Sequence, residues 1–181
     1  MEMNFCRRCG APLEAINKHT YRCKTGHTLF ANASPAAGIW IINERLEVLV
    51  TERSRDPGRG KLDAPGGFND GAETFEHALE RELEEELGLK KHSYTTPQLL
   101  GTYTGKYPYG GEVRDVVTAM YWATIIGSPT ITPQDDVASV HFIPIEKVDI
   151  NLFHFTDAKE SFIVLRKMLL SSKTEFTTSK S

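Results

Sequence analysis

The chain has 181 residues, of which 40% are hydrophobic and 25% are charged, and its formal net charge is −3. This composition is ordinary for a globular protein, and the length allows one domain of about 150 residues with a small appendage. The negative charge excludes a general attraction to nucleic acid or to an anionic membrane, so we expect phosphate binding to be local or metal-mediated. No apolar run approaches the length of a bilayer span, and MEMNFCRRCG lacks the apolar core of a signal peptide, which predicts a cytoplasmic protein.

Three cysteines near the start of the chain have the spacing of a metal site. Cys6 and Cys9 form a Cys-x-x-Cys pair, and Cys23 is followed closely by His27. Three thiols and one imidazole are the ligands of a closed, structural zinc site, which leaves no position open for catalysis. We therefore predict zinc at these four residues, with His19 as a weaker candidate for the fourth ligand. The alternative is a segment without metal, in which the thiols are ordinary buried side chains.

After residue 33 the pattern changes to that of β-strands. The predicted strands are rich in β-branched and apolar residues: Ala36–Ile42, Leu46–Glu52, Gln98–Thr104, Val116–Ile126 and Ser139–Ile143. A final helix is predicted to follow Asp157, with an apolar stripe that includes Phe162 and Leu165.

The segment from Gly67 to Leu89, GFNDGAETFEHALERELEEELGL, carries the strongest chemical signal. It predicts a helix that follows a glycine-rich turn and ends at Gly88. At about 100° per residue, Glu82, Glu85 and Glu86 lie together on the border of its apolar stripe. Their mutual repulsion costs free energy unless a cation lies among them. Hard oxygen ligands favour Mg²⁺ or Mn²⁺, and these ions commonly act on phosphates.

An acidic run of this kind is also typical of a solvated helix face. The whole segment, however, resembles the signature of the Nudix hydrolases at every defined position. That signature is a glycine, five residues, a glutamate, seven residues, and then Arg-Glu-apolar-x-Glu-Glu-x-Gly-apolar. A chance match in a chain of this size is expected on the order of once in 10⁷. The resemblance implies an α/β fold, the Nudix α/β/α sandwich with a mixed sheet, preceded here by a small zinc ribbon.

The resemblance also implies roles for individual residues of the acidic strip. Glu82, Glu85 and Glu86 match the metal-binding glutamates of the family, whose metal is Mg²⁺ or Mn²⁺. A backbone carbonyl just before the helix, that of Gly66 or Gly67, usually completes the metal shell. The general base differs among these enzymes, so the choice among the carboxylates stays open.

Four further residues of the signature match structural positions of the family. Arg81 and Glu73 match an ion pair in which the guanidinium ties the loop to the helix and orients the acidic strip. Gly67 and Gly88 match the two glycines of the signature; Gly71 and Gly88 are expected to serve backbone geometry, at a turn and at the end of the helix.

Segments outside the signature supply candidate substrate-binding residues. The basic loop before the signature contains three cations that are candidates for contacting phosphates: Arg53, Arg55 and Lys61. The segment Gly105–Glu112 is predicted to be an aromatic loop, in which Tyr107 and Tyr109 are candidates for stacking on a base. Solvated loop residues are the alternative in each case.

An acidic pair precedes the last predicted strand. In relatives with this layout, an acidic residue near this place often contacts the metal or serves as the general base. By position Asp136 is our first candidate and Asp135 the second, with turn-forming aspartates as the alternative. Together with Glu82 and Glu85, Asp136 is therefore a candidate for the base.

The resemblance divides the chain into a zinc ribbon (1–33), a Nudix hydrolase domain (34–170) and a disordered, Ser/Thr/Lys-rich tail (171–181). This layout is similar to that of NADH pyrophosphatases and of enzymes of the ADP-ribose pyrophosphatase type. Two features depart from the NADH pyrophosphatases. Gly26 stands where their ribbon has its last cysteine, and their SQPWPFPxS motif is absent, which argues against NADH specificity.

The implied function is metal-dependent hydrolysis of a phosphoanhydride in a nucleoside diphosphate linked to another moiety, such as a dinucleotide or ADP-ribose. The alternatives are a nucleoside triphosphate pyrophosphohydrolase and, in another class, a non-catalytic ligand sensor. The expected partner is a small-molecule nucleotide, with no membrane partner and with nucleic acid disfavoured by the net charge. Homodimers are common among enzymes with this layout, so a homodimer is one expected state.

Overall fold

The computed structural model describes residues 3–178, with side chains as far as residue 171. The N-terminal part contains a small antiparallel sheet of three strands in the order β1-β2-β3: β1 (Leu13–Asn17), β2 (Thr20–Cys23) and β3 (Thr28–Phe30). Its buried cluster consists of Cys6, Cys23 and Leu29. Three side chains make a very small core, so apolar burial alone stabilises this part of the chain weakly.

The larger sheet has seven strands. These are β4 (Ser34–Ile42), β5 (Glu47–Arg53), β6 (Leu62–Asp63), β7 (Gly66–Phe68), β8 (Gln98–Tyr109), β9 (Glu112–Thr124) and β10 (Val137–Pro144). The main path is β10-β5-β4-β9-β8, with β6 paired to β5 and β7 paired to β4. The β4–β9 pair is parallel and the other pairs are antiparallel, which confirms the predicted mixed sheet.

Two helices cover the two faces of this sheet: α1 (Phe75–Leu87) and α2 (Thr156–Thr178). The central strand β4 is apolar and buried from Ala36 to Ile42, because successive side chains point to opposite faces and both faces are covered. Ile39 packs in the cluster that contains the buried side of α1, whereas Trp40 packs in the cluster that contains α2. The sheet therefore lies between the helices, as the resemblance implies.

Helix α1 has clear signals at both ends. At its start, the Thr74 hydroxyl accepts a hydrogen bond from the His77 N–H at 3.2 Å. At its end, Gly88 adopts a left-handed φ of 67°, and its N–H donates to the Glu84 carbonyl at 3.0 Å. The apolar stripe is fully buried and includes Ala78, Leu79, Leu83 and Leu87. The predicted helix and its end at Gly88 are thus confirmed.

The predicted aromatic loop at Gly105–Glu112 is wrong. Strand β8 continues through this segment to Tyr109 and pairs with β9 in an unbroken ladder, so that only Gly110 and Gly111 form the turn. Both glycines have positive φ, of 60° and 81°. The glycine and proline content indicates a loop locally. The cross-strand partners on β9, which local composition does not reveal, keep the backbone extended instead.

Helix α2 continues to Thr178, whereas the sequence predicts that the domain ends at residue 170 and that 171–181 is disordered. Residues 171–178 are therefore helical, and residues 179–181 lie outside the described part of the chain. No proline or glycine follows Leu170, so the sequence has no residue that would end the helix there. Within residues 3–178, no helix is both long and apolar enough to cross a membrane.

A buried hydrogen bond joins α2 to the central strand and provides a test of the packing. The Trp40 Nε1–H donates to the Ser161 hydroxyl at 3.1 Å, and both residues are fully buried. Ser161→Ala would leave the indole donor without an acceptor, so we expect the free energy of unfolding to fall by about 1–3 kcal/mol. Urea denaturation measures this, with the exposed Ser171→Ala on the same helix as the control. Equal losses in the two variants would contradict the packing.

Candidate active site

The acidic edge of α1 lies directly against the glycine backbone of β7. The Gly66 N–H donates to Glu86 Oε2 at 3.0 Å. A Cβ atom on residue 67 would lie 2.3 Å from Glu82 Oε1, and one on residue 66 would lie 2.2 Å from the Ala37 carbonyl oxygen. Both distances are far inside normal contact, and Gly66 also has a φ of 140°. Gly67 therefore allows β7 to lie close to Glu82, and Gly66 allows it to lie close to β4.

Arg81 is at the centre of a network that joins the loop to the helix. Its Nε and Nη2 atoms donate to the two carboxylate oxygens of Glu73 at 3.1 and 3.0 Å, and Nη2 also donates to the Phe68 carbonyl at 3.0 Å. Its Nη1 atom donates to Glu82 at 2.8 Å and to Glu85 at 3.0 Å. The guanidinium fork suits such bidentate contacts. The hydrogen bonds from Arg81 also lower the pKa of Glu73.

Glu86 is a buried carboxylate, only 6% exposed, and it makes no salt bridge within the described residues. Burial raises its pKa to about 9; the Gly66 N–H opposes this rise, whereas the nearby Asp136 and Glu82 carboxylates add to it. Burial also raises the pKa of Glu82, and Arg81 opposes that rise. A carboxyl group in this setting is stabilised either by a proton or by a bound cation.

The acidic turn before β10 closes against the basic loop that follows β5. Asp136 Oδ2 lies 3.7 Å from Arg53 Nη2 and 3.8 Å from Arg55 Nε. Asp135 pairs with the exposed Arg55 and has a positive φ of 48°. The Asp136 carboxylate lies near enough to Glu86 to add to the raised pKa of Glu86. The structure therefore brings Asp136, and not Asp135, to the acidic strip.

A cleft opens beside β7 on the face of the sheet that α2 covers, and we call it the aromatic cleft. The Tyr107 ring stacks on Phe155 with centroids 5.5 Å apart and meets Phe68 edge-on at 5.1 Å. The Arg53 guanidinium lies 5.1 Å from the centre of the Phe155 ring. The aromatic rings could thus contact a flat apolar group, and the guanidinium could contact an anionic group.

Two carboxylates that were not predicted as site residues from the sequence line the aromatic cleft. Asp63 Oδ2 lies 3.1 Å from Arg53 Nη1, and Asp157 Oδ2 accepts a hydrogen bond from the Thr118 hydroxyl at 2.5 Å. Burial raises the pKa of Asp63 to about 7, although Arg53 opposes the rise. The available signal for Asp63 was an acid between the apolar Leu62 and Ala64 at the end of β6. Asp157 lies within the first turn of α2, where the sequence suggested a helix cap.

The five predicted substrate-binding residues divide into two groups. Arg53 and Tyr107 line the aromatic cleft. Arg55, Lys61 and Tyr109 lie outside its lining and are exposed. Arg55 is held instead by the acidic turn before β10, as described above.

The three cysteines and His27 converge in the N-terminal part. The distance from Cys6 Sγ to His27 Nδ1 is 3.6 Å, and that between the Cys9 and Cys23 sulfurs is 3.8 Å. All four ligand atoms lie within 4.8 Å of one another, the one such group found in the described residues. Tetrahedral zinc would separate its ligand atoms by about 3.5–3.8 Å. A hydrogen bond from Thr25 is the main cause that lowers the pKa of Cys9 to about 6, which favours the thiolate.

Comparison with known proteins identifies the family. The family model for the NUDIX domain matches residues 33–165, well over half of the chain. An ADP-ribose pyrophosphatase of Methanocaldococcus jannaschii is 29% identical over 108 residues, which are 60% of this chain and 60% of that protein. The chain therefore spans less than two thirds of the length of this curated relative.

Solved structures share the fold at low sequence identity. A NUDIX hydrolase from Nitrosomonas europaea has a TM-score of 0.65 and 20% identity, over 88% of both chains. The NUDIX domain of Shewanella oneidensis NrtR complexed with ADP ribose has a TM-score of 0.63 and 22% identity, over 77% of this chain and 90% of that one. Such identities show the fold alone. Since the family model covers both the acidic strip and the sheet that positions it, the chain belongs to the NUDIX domain family.

Proposed function

We propose that the protein is a metal-dependent pyrophosphohydrolase that cleaves the phosphoanhydride of a nucleoside diphosphate linked to a second moiety, such as ADP-ribose or a dinucleotide. The main support for this proposal is that the carboxylate of Glu86 is buried and has no cationic partner in the described residues. It lies beside two further carboxylates, Glu82 and Asp136. The aromatic cleft opens next to this group, on the other side of β7.

The residues present fit a hard divalent cation. Glu82, Glu86 and Asp136 supply oxygen donors whose negative charge is costly in a half-buried setting, and the more exposed Glu85 lies beside them. The backbone carbonyl of Gly66 is a further donor of the kind the family uses. When bound, Mg²⁺ or Mn²⁺ would neutralise diphosphate oxygens and lower the pKa of a bound water.

The surrounding side chains support binding and proton transfer. Arg53 is held in place by Asp63 and by the Phe155 ring, so its guanidinium is positioned to meet a phosphate. The stacked Tyr107 and Phe155 rings offer an apolar surface to a base or ribose. A carboxylate takes the proton of the attacking water, and Glu82, Glu85 and Asp136 are the candidates. The products would be a nucleoside monophosphate and a second phosphorylated fragment.

Two similarities favour ADP-ribose as the first substrate to test. The M. jannaschii relative is an ADP-ribose pyrophosphatase, and the Shewanella NUDIX domain is complexed with ADP ribose. ADP-ribose is therefore the first member of the proposed substrate class to test with this protein.

The proposal predicts that Glu86 is required for turnover. We expect Glu86→Gln to lower kcat for ADP-ribose with Mg²⁺ by at least about 100-fold, because the amide no longer supplies the charge that binds the metal. The control is Glu84→Gln, an exposed residue of the same helix, which should retain activity. A substrate panel of ADP-ribose, a diadenosine polyphosphate, NADH and ATP identifies the preferred class. Absence of turnover by the parent protein, or equal turnover by the parent and Glu86→Gln, would contradict the proposal.

The raised pKa of Glu86 also predicts a pH-dependent stability without metal. In the folded state the pKa of this carboxyl is raised to about 9 by burial, whereas its ordinary value is 4.5. Between these values the folded state binds more protons than the unfolded state, so the contribution of Glu86 to stability falls as pH rises. In EDTA, Glu86→Gln should therefore gain unfolding free energy relative to the parent as pH rises from about 5 to about 8.5. Urea denaturation at several pH values measures the difference, and a difference that does not change with pH would refute the burial argument.

We further propose that Cys6, Cys9, Cys23 and His27 bind a structural zinc ion. Two pairs of their ligand atoms lie 3.6 and 3.8 Å apart, all four atoms lie within 4.8 Å of one another, and the small apolar cluster around them stabilises this part of the chain weakly. Four protein ligands leave no open position, so zinc here would stabilise the fold and take no part in the reaction.

The zinc proposal predicts about one zinc per chain in protein purified without chelator. Cys9→Ser should remove most of the metal, because it replaces a thiolate ligand, whereas His19→Ala should retain it, since His19 is outside the ligand group. Inductively coupled plasma mass spectrometry measures the metal content. Protein without zinc, or zinc that persists in Cys9→Ser and is lost in His19→Ala, would contradict this ligand set.

A further inference from the structure

A second cleft lies between the N-terminal segment (residues 3–33) and the edge of the large sheet, and we call it the ribbon cleft. On the ribbon side it is lined by Lys18, His19 and Ala31. On the opposite side it is lined by the β8–β9 hairpin, including Thr104, Lys106 and Asp115. The established family features and the proposed reaction make no use of these residues.

The ribbon cleft adjoins the aromatic cleft. Both are lined by Gly105, Lys106 and Val116. In the sheet, Gly66 is paired with Gly38 of β4, and Val116 is paired with Ser34 of β4. These two positions are four residues apart, which is about 13 Å of strand. A group in the ribbon cleft would therefore lie beyond the aromatic cleft, on the side away from the acidic strip.

The ribbon cleft has an excess of positive charge. Lys106 and Asp115 form an ion pair and cancel each other. Lys106 is the main cause that lowers the pKa of Asp115, and Lys18 contributes as well, so Lys18 lies near this pair. Within residues 3–178, neither Lys18 nor His19 makes a salt bridge. A lysine ammonium and an imidazole thus remain available to an anionic ligand.

The turn that carries Lys18 and His19 is held by two hydrogen bonds of the His19 backbone. The His19 N–H donates to Asn17 Oδ1 at 2.9 Å, and the Ala31 N–H donates to the His19 carbonyl at 2.9 Å. The second contact fixes the turn to the segment that enters β4. Because the backbone is ordered before a ligand arrives, only the two side chains lose freedom on binding.

We propose that Lys18 and His19 bind a phosphate on the ribose of the nucleotide in the aromatic cleft, so that the N-terminal segment takes part in substrate selection. The preferred ligands would be nucleoside diphosphate derivatives with an additional 2′- or 3′-phosphate. The orientation rests on the proposed function, which puts the diphosphate at the acidic strip and the nucleoside in the aromatic cleft. A phosphate on the ribose then extends toward the ribbon cleft, where charge-assisted hydrogen bonds hold it.

Isothermal titration calorimetry of the full-length protein tests the binding without requiring turnover. The ligands are AMP, adenosine 2′,5′-bisphosphate and adenosine 3′,5′-bisphosphate. We expect one bisphosphate to bind about tenfold more tightly than AMP, and the better one identifies the ribose position. Lys18→Ala and His19→Ala should each reduce this preference and leave the affinity for AMP unchanged. The control Lys24→Ala removes an exposed lysine of the same segment that lines neither cleft and should keep the preference.

Equal affinities of the parent for the three ligands, or a preference that survives in both Lys18→Ala and His19→Ala, would overturn the inference. Turnover provides the second readout: the KM for ADP-ribose 2′-phosphate or 3′-phosphate should be below that for ADP-ribose, with similar kcat, and only the Lys18 and His19 variants should lose this difference. A bisphosphate preference without hydrolysis of any substrate would count against the proposed function and leave this inference standing.

Discussion

The arrangement of the candidate site depends on one guanidinium group. Arg81 bonds the Phe68 carbonyl and Glu73 on the loop side, and Glu82 and Glu85 on the helix side. Because a single side chain joins these parts, β7 is held against α1, where its glycines contact the glutamates. The apolar stripe of α1 would hold the helix on the sheet without Arg81. Apolar packing, however, does not fix the orientation of the carboxylates. The ion-pair network supplies that orientation.

The site is built at a cost to stability. Glu86 is buried among carboxylates, and Asp63 is buried in the aromatic cleft, and burial raises the pKa of both. Glu86 makes no salt bridge within the described residues, so an apolar residue of similar volume would cost less at this position if stability alone mattered. The two apolar clusters on either side of β4 offset this cost. Clustered carboxylates with raised pKa values beside a cleft are typical of functional sites, which agrees with the proposed chemistry.

The features that could be predicted from the sequence are those that local patterns determine. Helix α1 follows from its apolar period and from Thr74 and Gly88 at its ends, and the cysteine spacing predicted the four-residue cluster. What the sequence did not reveal depends on contacts between distant segments. Phe155 reaches the aromatic cleft because α2 packs across the sheet, and Tyr107 lies on a strand because β9 pairs with it. Local composition around these residues contains no trace of either partner.

We propose that the half-buried carboxylates of α1 hold a divalent cation. Crystals soaked in MnCl₂ and measured for anomalous scattering test it most directly. We expect an anomalous peak about 2.0–2.3 Å from carboxylate oxygens of Glu82 and Glu86, with Glu86 in its ionised form. Crystals that show no peak there at millimolar Mn²⁺, with Glu86 still bonded only to its protein neighbours, would contradict the claim.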